Sequence, residues 1–159
     1  MTLLETRKQY KASQIEIAHL LGVPIRTYIR YEQDDHYGSG LKRQTMINLI
    51  NERYEITEKK GLLSIESIEK ALTGLFENQY KGKVEFCYLF GSYSKGYATE
   101  ESDVDLCVAT SLKGLDFVGL AEDIRVLLHK KIDLIRFDTL KNNLELINEI
   151  MKDGIKIYG

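Results

Sequence analysis

Cysteine is scarce: Cys87 and Cys107 are the only two, each inside an apolar run (Val84–Phe90 and Val104–Ala109), and no CxxC pair occurs. Histidine is equally thin, and His19, His36 and His129 have no metal-ligand spacing. Together these shortages exclude a structural zinc site and a disulfide framework, and leave two reduced, buried thiols as the reading. A large excess of positive charge is also missing. Lys plus Arg total 22 and Asp plus Glu 24, for a net charge of −2, so no basic coat for nucleic acid covers the whole chain. No apolar run approaches the roughly 18 residues that span a bilayer, and the N-terminus has no signal-peptide core. The expected location is therefore cytoplasmic, with no membrane partner. Internal repeats and low-complexity segments are lacking as well.

What remains is ordinary globular material: 159 residues, 43% hydrophobic and 29% charged, enough for one domain or two very small ones. Residues 1–57 read as a run of short helices and residues 62–159 alternate strand and helix patterns, with the polar Glu58-Lys-Lys-Gly61 between them. The expectation is an α+β chain: an all-α domain over 1–57 and a domain of strands and helices over 62–159.

In the first part, Thr2-Leu-Leu-Glu5 and Ser13-Gln-Ile-Glu16 are capping-box patterns that open two helices. Gly22 closes the second. Pro24, the only proline, suits the first turn of a third that runs to Gln33. A further amphipathic helix is predicted over Leu41–Tyr54. Two short helices joined by a tight glycine turn make a helix-turn-helix, and Ser13–Glu32 resembles the Cro/C1/Xre family of DNA-binding domains. The small Ala18, the turn Gly22 and the closing Tyr31-Glu32 carry that resemblance. It implies that Val23, Tyr28 and Tyr31 face the core, that Ile25, Arg26 and Arg30 face the major groove, and that Gln14 meets a phosphate. The segment holds eight Lys/Arg against seven Asp/Glu, little charge for displacing counterions. A bundle that only docks proteins or dimerises is the other reading.

The second part opens with a predicted helix over Ser64–Gln79 and a buried-type strand over Val84–Phe90. That strand runs directly into Gly91-Ser92-Tyr-Ser-Lys95-Gly96, and Asp103-Val-Asp105 follows. Val104, Leu106 and Val108 alternate with the two aspartates, which places both carboxylates on one strand face. Paired carboxylates repel and push each other's pKa upward, a cost that a divalent cation relieves; open oxygen ligands suit Mg²⁺. Gly91 lets backbone approach a ligand, Ser92 offers a hydroxyl and an N–H, and Lys95 adds charge. A phosphate cradle beside a two-carboxylate site is the layout for phosphoryl or nucleotidyl transfer.

Leu89-Phe-Gly91-Ser92 through Ser102-Asp103-Val-Asp105-Leu106 resembles the signature of the minimal nucleotidyltransferase (MNT) family, part of the polymerase β-like superfamily. The resemblance implies that Asp133, in the alternating strand Lys131–Phe137, is the third carboxylate. It implies Mg²⁺ on Asp103, Asp105 and Asp133, and Gly91, Ser92 and Lys95 around the phosphates of ATP. Lys95 departs from the family's usual arginine and loses the bidentate fork; Ser94 replaces a frequent alanine. The resemblance also implies the family's small mixed sheet flanked by helices over 62–159, and an antitoxin of a HEPN/MNT pair that moves AMP onto a tyrosine of the partner toxin and assembles with it. With an Xre-like domain in front, operator DNA is a second expected partner. Two other readings stand beside this one: a regulator that binds DNA and toxin without catalysis, and an antibiotic nucleotidyltransferase.

Overall fold

The computed structural model describes residues 1–159, which divide into two compact units, Met1–Glu55 and Ile56–Gly159. No helix is long and apolar enough to cross a membrane.

The first unit holds four helices: α1 (Leu3–Gln9), α2 (Gln14–Leu21), α3 (Ile25–Gln33) and α4 (Gly40–Tyr54). α1 and α2 open on complete capping boxes. The Thr2 and Ser13 hydroxyls accept the N–H of Glu5 and Glu16, whose carboxylates accept the cap N–H in return. Three residues, Gly22, Val23 and Pro24, connect α2 to α3. Leu3, Ile17, Ala18, Tyr28, Tyr31, Ile47 and Ile50 form the core. A charged group sits inside it. Glu32, 8% exposed, accepts Nε and Nη2 of Arg7 at 2.7 and 2.8 Å, the Tyr28 hydroxyl at 2.7 Å and Gln14 Nε2 at 3.1 Å. A buried carboxylate is tolerated because it is paired and hydrogen-bonded on both oxygens.

The second unit runs α5 (Ile65–Asn78), β1 (Val84–Phe90), α6 (Gly91–Lys95), β2 (Val104–Thr110), α7 (Leu115–Leu128), β3 (Ile132–Arg136), a 3-10 turn (Phe137–Leu140), α8 (Leu144–Asp153) and β4 (Ile155–Tyr158). Its strands form one mixed sheet in the order β3-β2-β1-β4, so the α+β class with a small mixed sheet is as expected. β2 and β3 are parallel and β1 is antiparallel to both β2 and β4. A parallel pair needs a long crossover, which α7 supplies. Cys87, Leu89, Val104, Leu106 and Val108 pack with Ile68, Leu72 and Phe76 of α5 and Leu120, Ile124 and Leu128 of α7. The alternate strand positions Tyr88, Phe90, Cys107 and Ile135 meet Leu140, Leu146, Ile147 and Ile150 in a second cluster.

Helical spacing in the sequence puts Leu115, Val118, Ala121, Ile124 and Leu128 on one apolar stripe and Leu140, Leu144, Ile147 and Met151 on another, and the structure buries only part of each. Leu115 and Val118 are 88% and 60% exposed, while Leu120, Ile124 and Leu128 are buried. At about 3.6 residues per turn, Leu115 lies on the opposite side of α7 from Ile124. Leu144 and Met151 are likewise exposed and Ile150 is buried. The 3-10 turn takes Leu140 out of register with α8, so an unbroken helical period through both does not exist.

Candidate active site

Strand register brings the carboxylates together. Asp105 pairs with Phe90 of β1 on one side and with Asp133 of β3 on the other. Partners opposite each other share a face, so Asp105 and Asp133 stand side by side, on the face that carries Cys107 and Ile135. Asp103 lies two residues before Asp105, just ahead of β2. Asp105 is half-buried; Asp103 and Asp133 are exposed.

Gly91 is the pivot. It leaves β1 at a φ of +71°, and a Cβ placed on it would overlap Oδ2 of Asp105. Only glycine lets the backbone turn this way against that carboxylate. Gly91–Lys95 form the one-turn helix α6. Tyr93 anchors it in the core, Ser94 Oγ donates to the Gly91 carbonyl at 3.1 Å, and Ser92 is half-buried. Gly96, with a φ of +85°, ends the helix by donating its N–H to the Ser92 carbonyl at 3.0 Å.

The loop between α6 and Asp103 is held at two places. The Thr99 N–H donates to Ser102 Oγ at 2.8 Å. Lys130, with no exposed surface, donates its amine to the carbonyls of Glu100 at 2.5 Å and Lys60 at 3.3 Å. Burial lowers the Lys130 pKa, and Glu100 opposes that shift.

Negative charge dominates the site. Burial, then Asp133, Asp103 and Glu149, push Asp105 up to about 6, and Lys95 pulls the other way. Lys95 itself is engaged: its Nζ donates to Glu149 Oε1 of α8 at 2.7 Å. The donor set is three aspartate carboxylates, hard oxygens with excess negative charge, which fits a hard divalent cation in kind and in charge. As the side chains stand, no three of the chain's His, Cys, Asp or Glu are gathered tightly enough to enclose an ion.

An apolar cavity of about 730 Å³ lies on the same side of the sheet, walled by Phe86, Tyr88, Cys107, Phe137, Leu140 and Ile150 among others. The three aspartates, Gly91 and Ser92 do not line it.

In the first unit, Ile25, Arg26 and Arg30 are exposed on α3, and Arg26 and Arg30, four apart, share a helix face. Gln14 differs from them: it is half-buried and its amide is spent on Glu32. Two further residues at the site carried no sequence signal. Glu149 reads as one more charge on an amphipathic helix, and Lys130 as one of two lysines in a turn; only the tertiary structure gives them partners.

The family model described as polymerase beta, nucleotidyltransferase, matches residues 70–159. The protein adenylyltransferase MntA of Thermococcus cleftensis is 36% identical over 89 residues, covering 53% of this chain and 88% of that protein. A putative protein adenylyltransferase of Methanocaldococcus jannaschii is 32% identical over 87 residues, covering 52% of this chain and 85% of its own. A chain in the crystal structure of a toxin–antitoxin with AMP-PNP aligns at a TM-score of 0.49 with 26% identity, over 57% of this chain and 73% of that one.

Proposed function

The chain belongs to the polymerase β nucleotidyltransferase family, and from that premise we propose that it is an antitoxin that moves AMP from ATP onto a tyrosine of a HEPN-family toxin and binds its own operator. One observation carries the chemical part. Asp105, in register with Asp133 and two residues from Asp103, is packed against the backbone of Gly91 where a strand ends. The matched relatives being protein adenylyltransferases supports AMP as the group and a protein as the acceptor.

In this reading Asp103, Asp105 and Asp133 would hold Mg²⁺, which would neutralise phosphate charge and the mutual repulsion of the carboxylates. Gly91 and Ser92 offer backbone and hydroxyl to the phosphates, and Lys95 adds a compact positive charge. The acceptor oxygen attacks the α-phosphorus, its new O–P bond replaces the bond to pyrophosphate, and pyrophosphate departs. The tyrosine proton passes to the exposed carboxylate of Asp133. The chain's work is positioning and charge placement rather than covalent chemistry.

The experiment incubates the chain with α-labelled ATP, Mg²⁺ and the product of the adjacent open reading frame. Label on that protein, lost with Asp103→Asn or Asp105→Asn, is the expected result. No label on an authentic partner leaves only a binding regulator, and label on small molecules alone points to drug modification.

DNA binding is proposed for the first unit on the exposure of Ile25, Arg26 and Arg30 along α3, an arginine pair suited to guanine edges. Gln14 keeps its assigned phosphate contact only if its amide leaves Glu32. In a gel shift with upstream DNA, Arg26→Ala with Arg30→Ala should abolish specific retardation. No retardation by the unaltered chain at low salt ends the DNA reading and leaves a protein-docking bundle.

A further inference from the structure

The cation of the phosphate loop is not waiting for a phosphate. Lys95 is the last residue of α6, and its amine reaches 54 positions along the chain to Glu149 of α8, at 2.7 Å. The two side chains keep 28% and 33% of their exposure, so the pair lies at the surface, where a ligand can reach both groups. α8 is fixed behind it: Ile147 and Ile150, on either side of Glu149 in sequence, are in the apolar cluster with Phe90 and Cys107. Glu149 therefore reaches Lys95 from a settled helix, and two flexible side chains, not the helix, span the gap. Lys95 ends the five-residue helix that opens at Gly91 against Asp105, about 6 Å along the helix axis at 1.5 Å per residue, which keeps the pair close to the carboxylates.

We propose that Glu149 is a built-in competitor for the nucleotide's phosphates, holding Lys95 until a triphosphate displaces it and taking Lys95 back when pyrophosphate leaves. The inference rests on the reading that Lys95 faces the phosphates. Its physical basis is a difference in charge. A carboxylate offers a single negative charge, a triphosphate offers several, and a lysine ammonium is a point charge that exchanges one oxygen partner for another without a geometric demand. A guanidinium held bidentately would be harder to release. Glu149 thus weakens the hold on any phosphate that reaches Lys95, and it touches Lys95 rather than the reacting atoms.

The test measures binding of AMP-PNP with Mg²⁺ to the full chain by calorimetry, at low and moderate salt. Glu149→Gln, which keeps the size and an acceptor oxygen but removes the charge, should tighten binding about two- to fivefold, the scale of an exposed ion pair. Glu149→Ala should act in the same direction. Binding of AMP should change less than binding of AMP-PNP. In a Lys95→Met background the Glu149→Gln effect should vanish, because there is no amine left to release. Unchanged or weaker AMP-PNP binding in both Glu149 variants, with thermal unfolding like the parent's, overturns the proposal. Tightening that persists with Lys95→Met also overturns it, since Glu149 would then act only as a distant charge. A parent chain that binds no AMP-PNP at millimolar concentration removes the nucleotide reading itself, and this inference with it, whereas a parent that binds and variants that do not differ removes the inference alone.

Discussion

Replacing Gly91 by alanine adds a single methyl group, at a position where the structure offers it no room. Two costs can be separated. The backbone there has a φ of +71°, a region that disfavours an L-residue by about 1–2 kcal/mol. The new Cβ would also overlap Oδ2 of Asp105 and crowd its Cγ, and such overpacking costs about 1–3 kcal/mol. The sum, about 2–5 kcal/mol, is a large share of the 5–15 kcal/mol by which domains are stable. For a unit of about a hundred residues each kcal/mol is worth about 4–8 °C, so melting followed by far-UV circular dichroism should fall by about 8 °C or more. Nucleotidyl transfer should be lost even where the variant is folded, because the carboxylate must move to admit the methyl. Pairing Gly91→Ala with Asp105→Ala isolates the second cost. The overlap part, about 1–3 kcal/mol, should return as coupling in the cycle, and the φ part should remain. A Gly91→Ala chain that melts within about 2 °C of the parent and transfers label refutes this account. Zero coupling with Asp105→Ala refutes the attribution to the carboxylate.

Asp105→Asn should raise the melting temperature of the metal-free chain while abolishing transfer, since it removes the charge that burial and Asp133, Asp103 and Glu149 all oppose; a melting temperature at or below the parent's would contradict it. The Arg7–Glu32 pair predicts acid sensitivity in the first unit. Burial alone would raise Glu32, but the hydrogen bonds from Arg7, Tyr28 and Gln14 outweigh it and hold the pKa below the usual carboxylate value of 4.5. A lowered pKa means that Glu32 stabilises the fold above pH 4.5 and that this contribution fades as pH falls through the lower folded value. Melting of the first unit should therefore drop on acidification below about pH 4.5, and Glu32→Gln should flatten that drop while costing about 3 kcal/mol at neutral pH, because Arg7 is left unpaired.

How much of this was legible in the sequence follows from the range of the interactions. Helix starts set by Thr2 and Ser13 depend on residues three apart, and both boxes form as read. The alternation of Val104, Leu106 and Val108 puts all three in the core, because a strand has a period of two whatever lies around it. The mixed sheet was expected from the family resemblance, since no strand's own period says which neighbour it pairs with or in which direction. The stripes on α7 and α8 were not legible, since a list of apolar residues at mixed spacings of three and four fits more than one face, and the sheet decides which is buried. β4 lies in a short segment, Ile155–Tyr158, too brief for its period to separate strand from loop. At the site, Asp103, Asp105 and Asp133 could be picked out as residue types. The register that seats Asp133 beside Asp105 is a property of strand pairing, and no local pattern contains it. Glu149 and Lys130 act only through partners 54 and at least 30 positions away.

The choice between a transferase and a regulator that merely binds can be argued from what the site costs. Asp105 is half-buried among like charges, which a binding surface has no use for. Gly91 gives up about 0.5–1 kcal/mol of conformational entropy relative to alanine, and its backbone approaches the one carboxylate that is already the least comfortable. Lys130 is stripped of water to hold the carbonyl of Glu100, three residues ahead of Asp103. Each feature alone has a bland explanation in packing. Their placement does not: all three act on the same short stretch, the end of β1 and the start of β2, and none improves the hydrophobic core beneath it. Several local costs meeting at one place are the mark of a site where geometry is kept for chemistry rather than for stability. A site that served only to dock a partner would be relieved by asparagine at position 105 and lose nothing in binding. If Asp105→Asn stabilises the chain and stops transfer while the complex with its partner survives, the cost and the catalysis belong to the same carboxylate.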